Sequence, residues 1–181
     1  MISPDLTLIL GPQTRLGMAL NTAVRENREA IGALGVDVYP SRFGDKAIRD
    51  VLDGAAPDGI KDALSIGAGR PVVLTATKGL ATPAGTVRSR EILPDAEAYL
   101  AAWSHLVGHI ETRVVLRIDP LPDFLFAMNH DAANAAVQAT PWDALYESSW
   151  ADVLTEIADA LPRASILALS TRGAFLSAET A

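Results

Sequence analysis

The stretch LILGPQTRLGMALNTAVREN, residues 8–27, runs from an apolar strand through a short polar turn into an amphipathic helix. Gly11 and Gly17 stand at the two ends of the turn. Such glycines are typical of loops that bind phosphate, because backbone N–H groups at a helix start converge on the anion. The lysine that usually neutralises the phosphate is missing from this turn. The stretch therefore predicts a strand–turn–helix unit and leaves open whether an anion binds there.

The composition favours one globular domain that spans residues 1–181. Hydrophobic residues make up 49% of the 181, which is ample for a packed core. The chain has no cysteine, which excludes disulfides, cysteine metal ligands and thiol catalysis. A net charge of −7 disfavours binding to nucleic acid or to an anionic membrane. No basic segment precedes the first apolar run, so we expect a soluble, cytoplasmic protein.

Apolar runs alternate with segments of helical spacing along the chain. The apolar runs predict buried strands over 6–10, 70–76, 112–118 and 164–170, and a brief extended segment over 36–40. The helical spacing predicts helices over 18–34, 45–54, 59–69, 94–110, 122–138 and 141–161, and a short helix or tail over 171–181. Strands that alternate with helices indicate βαβ units. We therefore expect a three-layer α/β sandwich whose central sheet is mostly parallel.

The segments that follow three of these strands resemble one family. Ligands of parallel sheets bind beyond the carboxyl ends of strands, so function is expected after Leu10, Leu74 and Ile118. The opening LGPQTRLGMALNTAVRENREAIGALGVDVYPSR has the frame of bacterial proteins that begin strand–GxHKTGTT–helix and continue N…L…GV…YP. The matching residues are Gly11, Leu20, Asn27, Gly35, Val36, Tyr39 and Pro40. With VVLTATKGLATP, ILPDAEAYLAAW and RVVLRIDPLPDFLFA, the chain resembles the sulfotransferase-like branch of the P-loop proteins over residues 6–170.

The resemblance implies a donor site for PAPS, the activated sulfate donor. In the family, loop amides and a lysine hold the 5′-phosphosulfate, an arginine and a serine hold the 3′-phosphate, and a Glu or His base deprotonates the acceptor. The positions of this chain that correspond to the donor site are Gly11, Gln13, Thr14, Arg15, Gly17, Thr75 and Arg117. They would bind PAPS or its desulfated product PAP. His130, which follows the strand 112–118, is the candidate catalytic base.

The loop itself departs from the family pattern. Thr14 stands at the lysine position, with Arg15 beside it, and Leu16 stands at a glycine position. Gly17 and Met18 stand at the two threonine positions. Arg15 differs from lysine in length and planarity, and the exchange is not neutral at a tight phosphate site.

The other two segments also depart from the pattern. The acidic positions after the strand 70–76 are occupied by Ala76 and Thr77, so a base at either place is lost. Alignment on the tripeptide DFL places Asp119 at the arginine position and Ala127 at the serine position, although Arg117 lies only two residues earlier. An aspartate that faces a phosphate would repel it.

Two further patterns have structural explanations. His105 and His109 lie four apart on a predicted helix, but no glutamate follows His105 and no third ligand is near, so we predict no metal site. A stripe of apolar residues on the predicted helix 141–161 indicates burial, in the core or against a partner subunit. The stripe consists of Trp142, Leu145, Trp150, Val153, Leu154 and Ile157.

The sequence supports two main functions, and a third possibility is that the pocket holds a different anionic metabolite. The first is a non-catalytic or altered relative that binds a protein partner or forms a homo-oligomer through its helical faces. The second is an active sulfotransferase that moves a sulfuryl group from PAPS to a hydroxyl or amine, with Arg15 and Arg117 as phosphate cations, Thr75 as a donor and His130 as base. A positive pocket formed by Arg15, Lys78 and Arg117 favours the enzyme, whereas a neutral or filled pocket favours the non-catalytic form.

Overall fold

The computed structural model describes residues 5–12, 14–80, 93, 95–120, 124 and 149–170; for Arg15 and Leu16 it describes only the backbone. In chain order the elements are β1 (Leu6–Leu10), α1 (Arg15–Glu26), α2 (Arg28–Ala33), β2 (Asp37–Tyr39), α3 (Ser41–Leu52), α4 (Pro57–Ala63), β3 (Val72–Ala76), α5 (Ala96–Val107), β4 (Thr112–Ile118), α6 (Trp150–Ala160) and β5 (Ser165–Ser170). The predicted alternation of strands and helices is confirmed.

The five strands form one parallel sheet in the order β2-β3-β1-β4-β5. Its middle strand is β1, in which Leu8 is level with Leu74 of β3 on one side and with Val114 of β4 on the other. All three side chains are fully buried or nearly so. Helices flank the sheet, and the predicted α/β sandwich is therefore confirmed.

The register divides the side chains of the sheet between two faces. One face, here named the core face, packs against α3, α5 and α6. The large buried residues of this core include Leu6, Leu8, Leu10, Leu74, Leu116, Trp103, Leu106 and Ile157. The opposite face, here named the α1 face, carries Thr75 and Arg117, and α1 reaches it through a hydrogen bond from Thr75 to Asn21. The main core therefore lies on one side of the sheet, and α1 covers the carboxyl ends of the strands on the other.

Three predicted helices differ from the observed ones in ways that local contacts and backbone geometry explain. The predicted helix 18–34 is two helices, since Asn27 leaves helical geometry (φ −95°, ψ 10°) and its Nδ2 donates to the Ala23 carbonyl at 2.8 Å. The predicted helix 45–54 begins earlier, at Ser41, whose N–H donates to Asn21 Oδ1 at 2.8 Å. That distant side chain serves as a cap which no local pattern indicates. The predicted helix 59–69 ends at Ala63, shortly before Ser65 with its positive φ of 52°.

Other predicted elements lie outside the described residues. These are the helix 122–138 apart from Phe124, residues 141–148 of the helix 141–161, and the segment 171–181. In the described part of the apolar stripe, Val153 and Ile157 are buried and Trp150 and Leu154 pack against the chain's own core. None of the helices in the described ranges is long and apolar enough to cross a membrane.

The close packing of α3 on β3 gives a testable prediction at Gly44, where a Cβ would overlap the carbonyl oxygen of Thr75. We expect Gly44→Ala to lower the free energy of unfolding by about 1–3 kcal/mol, because α3 must move away from β3. Gly59→Ala is the matched control, since a Cβ there meets nothing within 4 Å; alanine should stabilise that helix by about 0.5–1 kcal/mol. Urea denaturation measures both variants, and a Gly44→Ala protein as stable as the wild type would contradict the packing.

Candidate functional site

The carboxyl ends of β1 and β4 form a crevice in the middle of the sheet. After β1 the chain leads to β2 at one edge of the sheet, and after β4 it leads to β5 at the other edge. Adjacent strands whose connections diverge in this way leave the crevice in which α/β proteins bind their ligands. The residues at the crevice are Gly11, Pro12 and Thr14 after β1, and Arg117 and Asp119 at the end of β4. The structure thus brings the predicted loop and the predicted phosphate arginine together.

The side chain of Arg117 fills this crevice. Arg117 is only 2% exposed, and its Nη2 donates to the carbonyl oxygen of Pro12. A Cβ at Gly17 would overlap the guanidinium, and a Cβ at Gly11 would lie 2.8 Å from Cβ of Arg117. Gly11 also has a φ of +152°, which residues with a side chain rarely adopt. The two glycines of the loop therefore make room for an arginine, where the motif predicts the approach of a phosphate.

Asp119 places a carboxylate close to the start of α1. Thr14 is the N-cap of this helix, and its Oγ1 accepts a hydrogen bond from the Gly17 N–H at 3.3 Å. The same hydroxyl donates to Oδ2 of Asp119 at 2.9 Å. Helix N-termini attract anions, because their first N–H groups have no partner within the helix. In this protein a buried carboxylate of the chain itself is linked to that helix end through Thr14.

The charges in the crevice balance each other. Oδ2 of Asp119 lies 3.8 Å from Nε of Arg117, and both side chains are buried. Burial lowers the pKa of the Arg117 guanidinium and Asp119 acts in the opposite direction; an arginine in a protein stays protonated in either case. Nε of Arg117 is a buried donor without a hydrogen-bond partner among the described residues. Among the described residues, the crevice is therefore filled by this pair, whose two charges offset each other.

Thr75, the predicted hydroxyl of the donor site, joins three elements. It is buried, and its Oγ1 lies 3.3 Å from Asn21 Oδ1 on α1 and 3.3 Å from the Tyr39 carbonyl at the end of β2. The single hydroxyl proton is directed at these two acceptors. Thr75 therefore holds α1 and the end of β2 against β3.

Asp45 is a carboxylate that the sequence analysis does not single out. It lies on α3, and its oxygens accept hydrogen bonds from the Lys78 N–H at 2.7 Å and from Oγ1 of Thr77 at 3.0 Å. Asp45 thus lies beside the segment that follows β3. In the family pattern the acidic residues stand within that segment, whereas Asp45 reaches it from α3. Burial raises the pKa of Asp45, and the hydrogen bonds from Lys78 and Thr77 counteract part of that rise. Only the packing of α3 on β3 reveals this placement, because no sequence motif links residues so far apart.

The remaining predicted site residues lie wholly or partly outside the described part of the chain. Gln13 and His130 lie outside the described residues, as does the side chain of Arg15, the first residue of α1. The Nε2 atom of His109, one of the two helical histidines, is 3.3 Å from Nζ of Lys61. Within the described ranges, no group of three or more His, Asp or Glu residues is placed to hold a metal ion.

No family model matches the chain, and no curated protein matches its sequence. The sulfotransferase-like assignment therefore stays a prediction that rests on the quoted segments, whereas the strand order and the parallel sheet establish the α/β architecture.

The buried ion pair gives a prediction about stability. We expect Asp119→Ala to lower the free energy of unfolding by about 3–5 kcal/mol, because it leaves a buried guanidinium without its counter-charge. Adding Arg117→Met should recover most of that loss, since apolar residues often replace a buried pair at little cost. Asp37→Ala is the control, since Asp37 pairs with Arg70 at 3.3 Å on the surface. This variant should lower the free energy of unfolding by less than about 1 kcal/mol. Chemical denaturation checks all three, and a double variant as unstable as Asp119→Ala would contradict the prediction.

The raised pKa of Asp45 gives a prediction about pH. The ordinary value is 3.8, so the contribution of Asp45 to the stability of the wild type falls as the pH rises from 3.8 to the higher pKa of the folded state. Asp45→Asn keeps an acceptor for the Lys78 N–H and carries no charge. We therefore expect Asp45→Asn to become more stable relative to the wild type as the pH rises across this window. Above the window, the difference in free energy of unfolding between the two proteins should stay constant.

The control for this measurement is Asp58→Asn on α4. A hydrogen bond from Lys61 lowers the pKa of Asp58, so the wild-type carboxylate adds stability above its ordinary pKa and loses it as the pH falls. The stability difference between Asp58→Asn and the wild type should therefore change with pH in the opposite direction. Urea denaturation over a pH series measures both, and equal pH dependence in the two variants would refute the assignment for Asp45.

Proposed function

We propose that this chain is a sulfotransferase-like protein whose donor site is filled by its own side chains, and that it is a non-catalytic binding or assembly protein. One observation carries the proposal. The guanidinium of Arg117 and the carboxylate of Asp119 occupy the crevice between β1 and β4. In the family that the sequence resembles, the donor phosphates would lie at this end of the sheet.

An incoming phosphate would have to compete with the carboxylate of Asp119. Two like charges about 4 Å apart repel each other by about 4 kcal/mol at an effective dielectric constant of about 20. Moving the carboxylate aside breaks its hydrogen bond with Thr14. Nη2 of Arg117 is in turn held by the Pro12 carbonyl. The chain also has threonine at the position where the family lysine would supply a further positive charge.

The groups that a sulfotransferase would use after β3 have structural roles in this chain. The hydroxyl of Thr75 is directed at Asn21 and the Tyr39 carbonyl. The Asp45 carboxylate is oriented toward the loop by Thr77 and the Lys78 N–H. A positioned general base contributes about 10²–10⁴ to a rate. A carboxylate that is hydrogen-bonded to a loop of its own chain has a structural role, and this role favours the non-catalytic function.

An active sulfotransferase that moves a sulfuryl group from PAPS to a hydroxyl or amine is the second candidate. The Nε–H of Arg117 favours it, because this buried donor lacks a partner in the described part of the chain and a phosphate oxygen would supply one. In that function Arg15 and Arg117 would bind phosphate, Thr75 would donate a hydrogen bond and His130 would be the base.

A calorimetric titration with PAP at low salt separates the two functions. We expect no heat of binding up to millimolar PAP. Micromolar binding that Arg15→Ala abolishes would overturn the non-catalytic proposal and support the enzyme. Arg113→Ala is the matched control, because Arg113 is an exposed arginine on the same strand and the same face as Arg117; its replacement should leave the titration unchanged.

The variant Asp119→Asn tests the filled crevice directly. It removes the negative charge, keeps an oxygen that accepts from Thr14, and leaves the Arg117 guanidinium to pair with an external anion. We expect weak PAP binding to appear in this variant, as heat in the titration and as a rise in melting temperature with ligand concentration. A folded Asp119→Asn protein that binds PAP no better than the wild type would show that the carboxylate does not close the site.

A further inference from the structure

The two edges of the sheet differ in their protection against pairing with other strands. At one edge, β2 has only three residues, carries Asp37 in an ion pair with Arg70, and is followed directly by Pro40. Short length, charge and proline all discourage edge pairing. At the other edge, β5 has the six residues SILALS, with no charge and no proline. Within the part of the chain that the structure describes, β2 thus has these three protective features and β5 has none of them.

The unprotected edge also exposes apolar side chains. Among the described strands, β4 is the only neighbour of β5. Leu167 is 54% exposed and Leu169 is 37% exposed. Leu167 is level with Val115 of β4, and Val115 is level with Ile9 of β1. Val115 and Ile9 are half-buried. These three side chains form an apolar row across the α1 face that ends at the outer edge of β5.

We infer that β5 pairs with β5 of a second copy of this chain, antiparallel about a two-fold axis, so that the two sheets become one. The inference deepens the proposed assembly role and rests on it. With the axis at Leu167, this leucine faces its own counterpart, Ile166 faces Ala168, and Ser165 faces Leu169. Residues opposite each other in an antiparallel pair lie on the same face. This register therefore continues the apolar row from one copy into the other.

Charge favours a second copy at this edge. The chain has a net charge of −7, so two copies repel each other over most of their surfaces. The six residues of β5 carry no charge, and the symmetric register places no like charges opposite each other. A two-fold contact requires a self-complementary patch. β5 meets that requirement, because in this register Leu167 faces its own counterpart and no charged residue of the strand faces a like charge.

Sedimentation equilibrium of the full chain over a wide concentration range tests the dimer. We expect a monomer–dimer equilibrium that Leu167→Lys weakens by at least about tenfold, because it places two positive charges opposite each other and removes a leucine pair. Leu34→Lys is the control, since Leu34 is 80% exposed at the end of α2 and should leave the dimer unchanged. A wild type that is monomeric throughout, or a dimer that Leu167→Lys leaves unchanged, overturns the inference.

Two double variants at the same positions test the register. Ser165→Lys with Leu169→Glu places opposite charges across the dimer and should keep it, whereas Ser165→Lys with Leu169→Lys places like charges across it and should dissociate it. Equal association of the two overturns the register. Circular dichroism confirms that each variant is folded. The PAP titration does not depend on this result, so failure of the dimer and failure of the proposed function are told apart.

Discussion

A guanidinium buried between β1 and β4 is the interaction on which the crevice depends. Taking an arginine out of water is unfavourable unless a counter-charge and acceptors accompany it. Asp119 supplies the counter-charge and the Pro12 carbonyl supplies an acceptor. Gly11 and Gly17 lack the side chains that would collide with the arginine. The position of one cation therefore accounts for the residue types around it.

The same interaction relates the fold to the proposed function. The strand order creates a crevice at the point where ligands of parallel sheets usually bind. In this chain the described part of the crevice holds a cation and an anion of its own, and this pairing is the basis of the proposed loss of donor binding. The proposed non-catalytic role therefore assigns the interactions of this chain to its surfaces. The uncharged edge strand β5 is the part of the described surface at which we propose that a second copy pairs.

Hydrogen bonds between distant residues organise the neighbouring end of β3. The Asn21 side chain on α1 accepts from both Thr75 and the first N–H of α3. Asp45 on α3 accepts from the loop after β3. The helices α1 and α3 lie on opposite faces of the sheet, and these bonds connect both of them to the end of β3. They also explain why α3 begins before the position that its apolar spacing predicts.

The sequence by itself determined the alternation of strands and helices, the parallel α/β architecture and the bounds of β4, because burial on a regular element leaves a local periodicity. It also placed Gly11, Gly17 and Arg117 at the carboxyl end of the sheet. Only the tertiary structure decided what these residues do there. Thr14 and Asp119 are 105 positions apart in the chain, and Arg117 is equally far from Pro12. Such contacts leave no periodic signal, because which charge faces which depends on how the strands assemble.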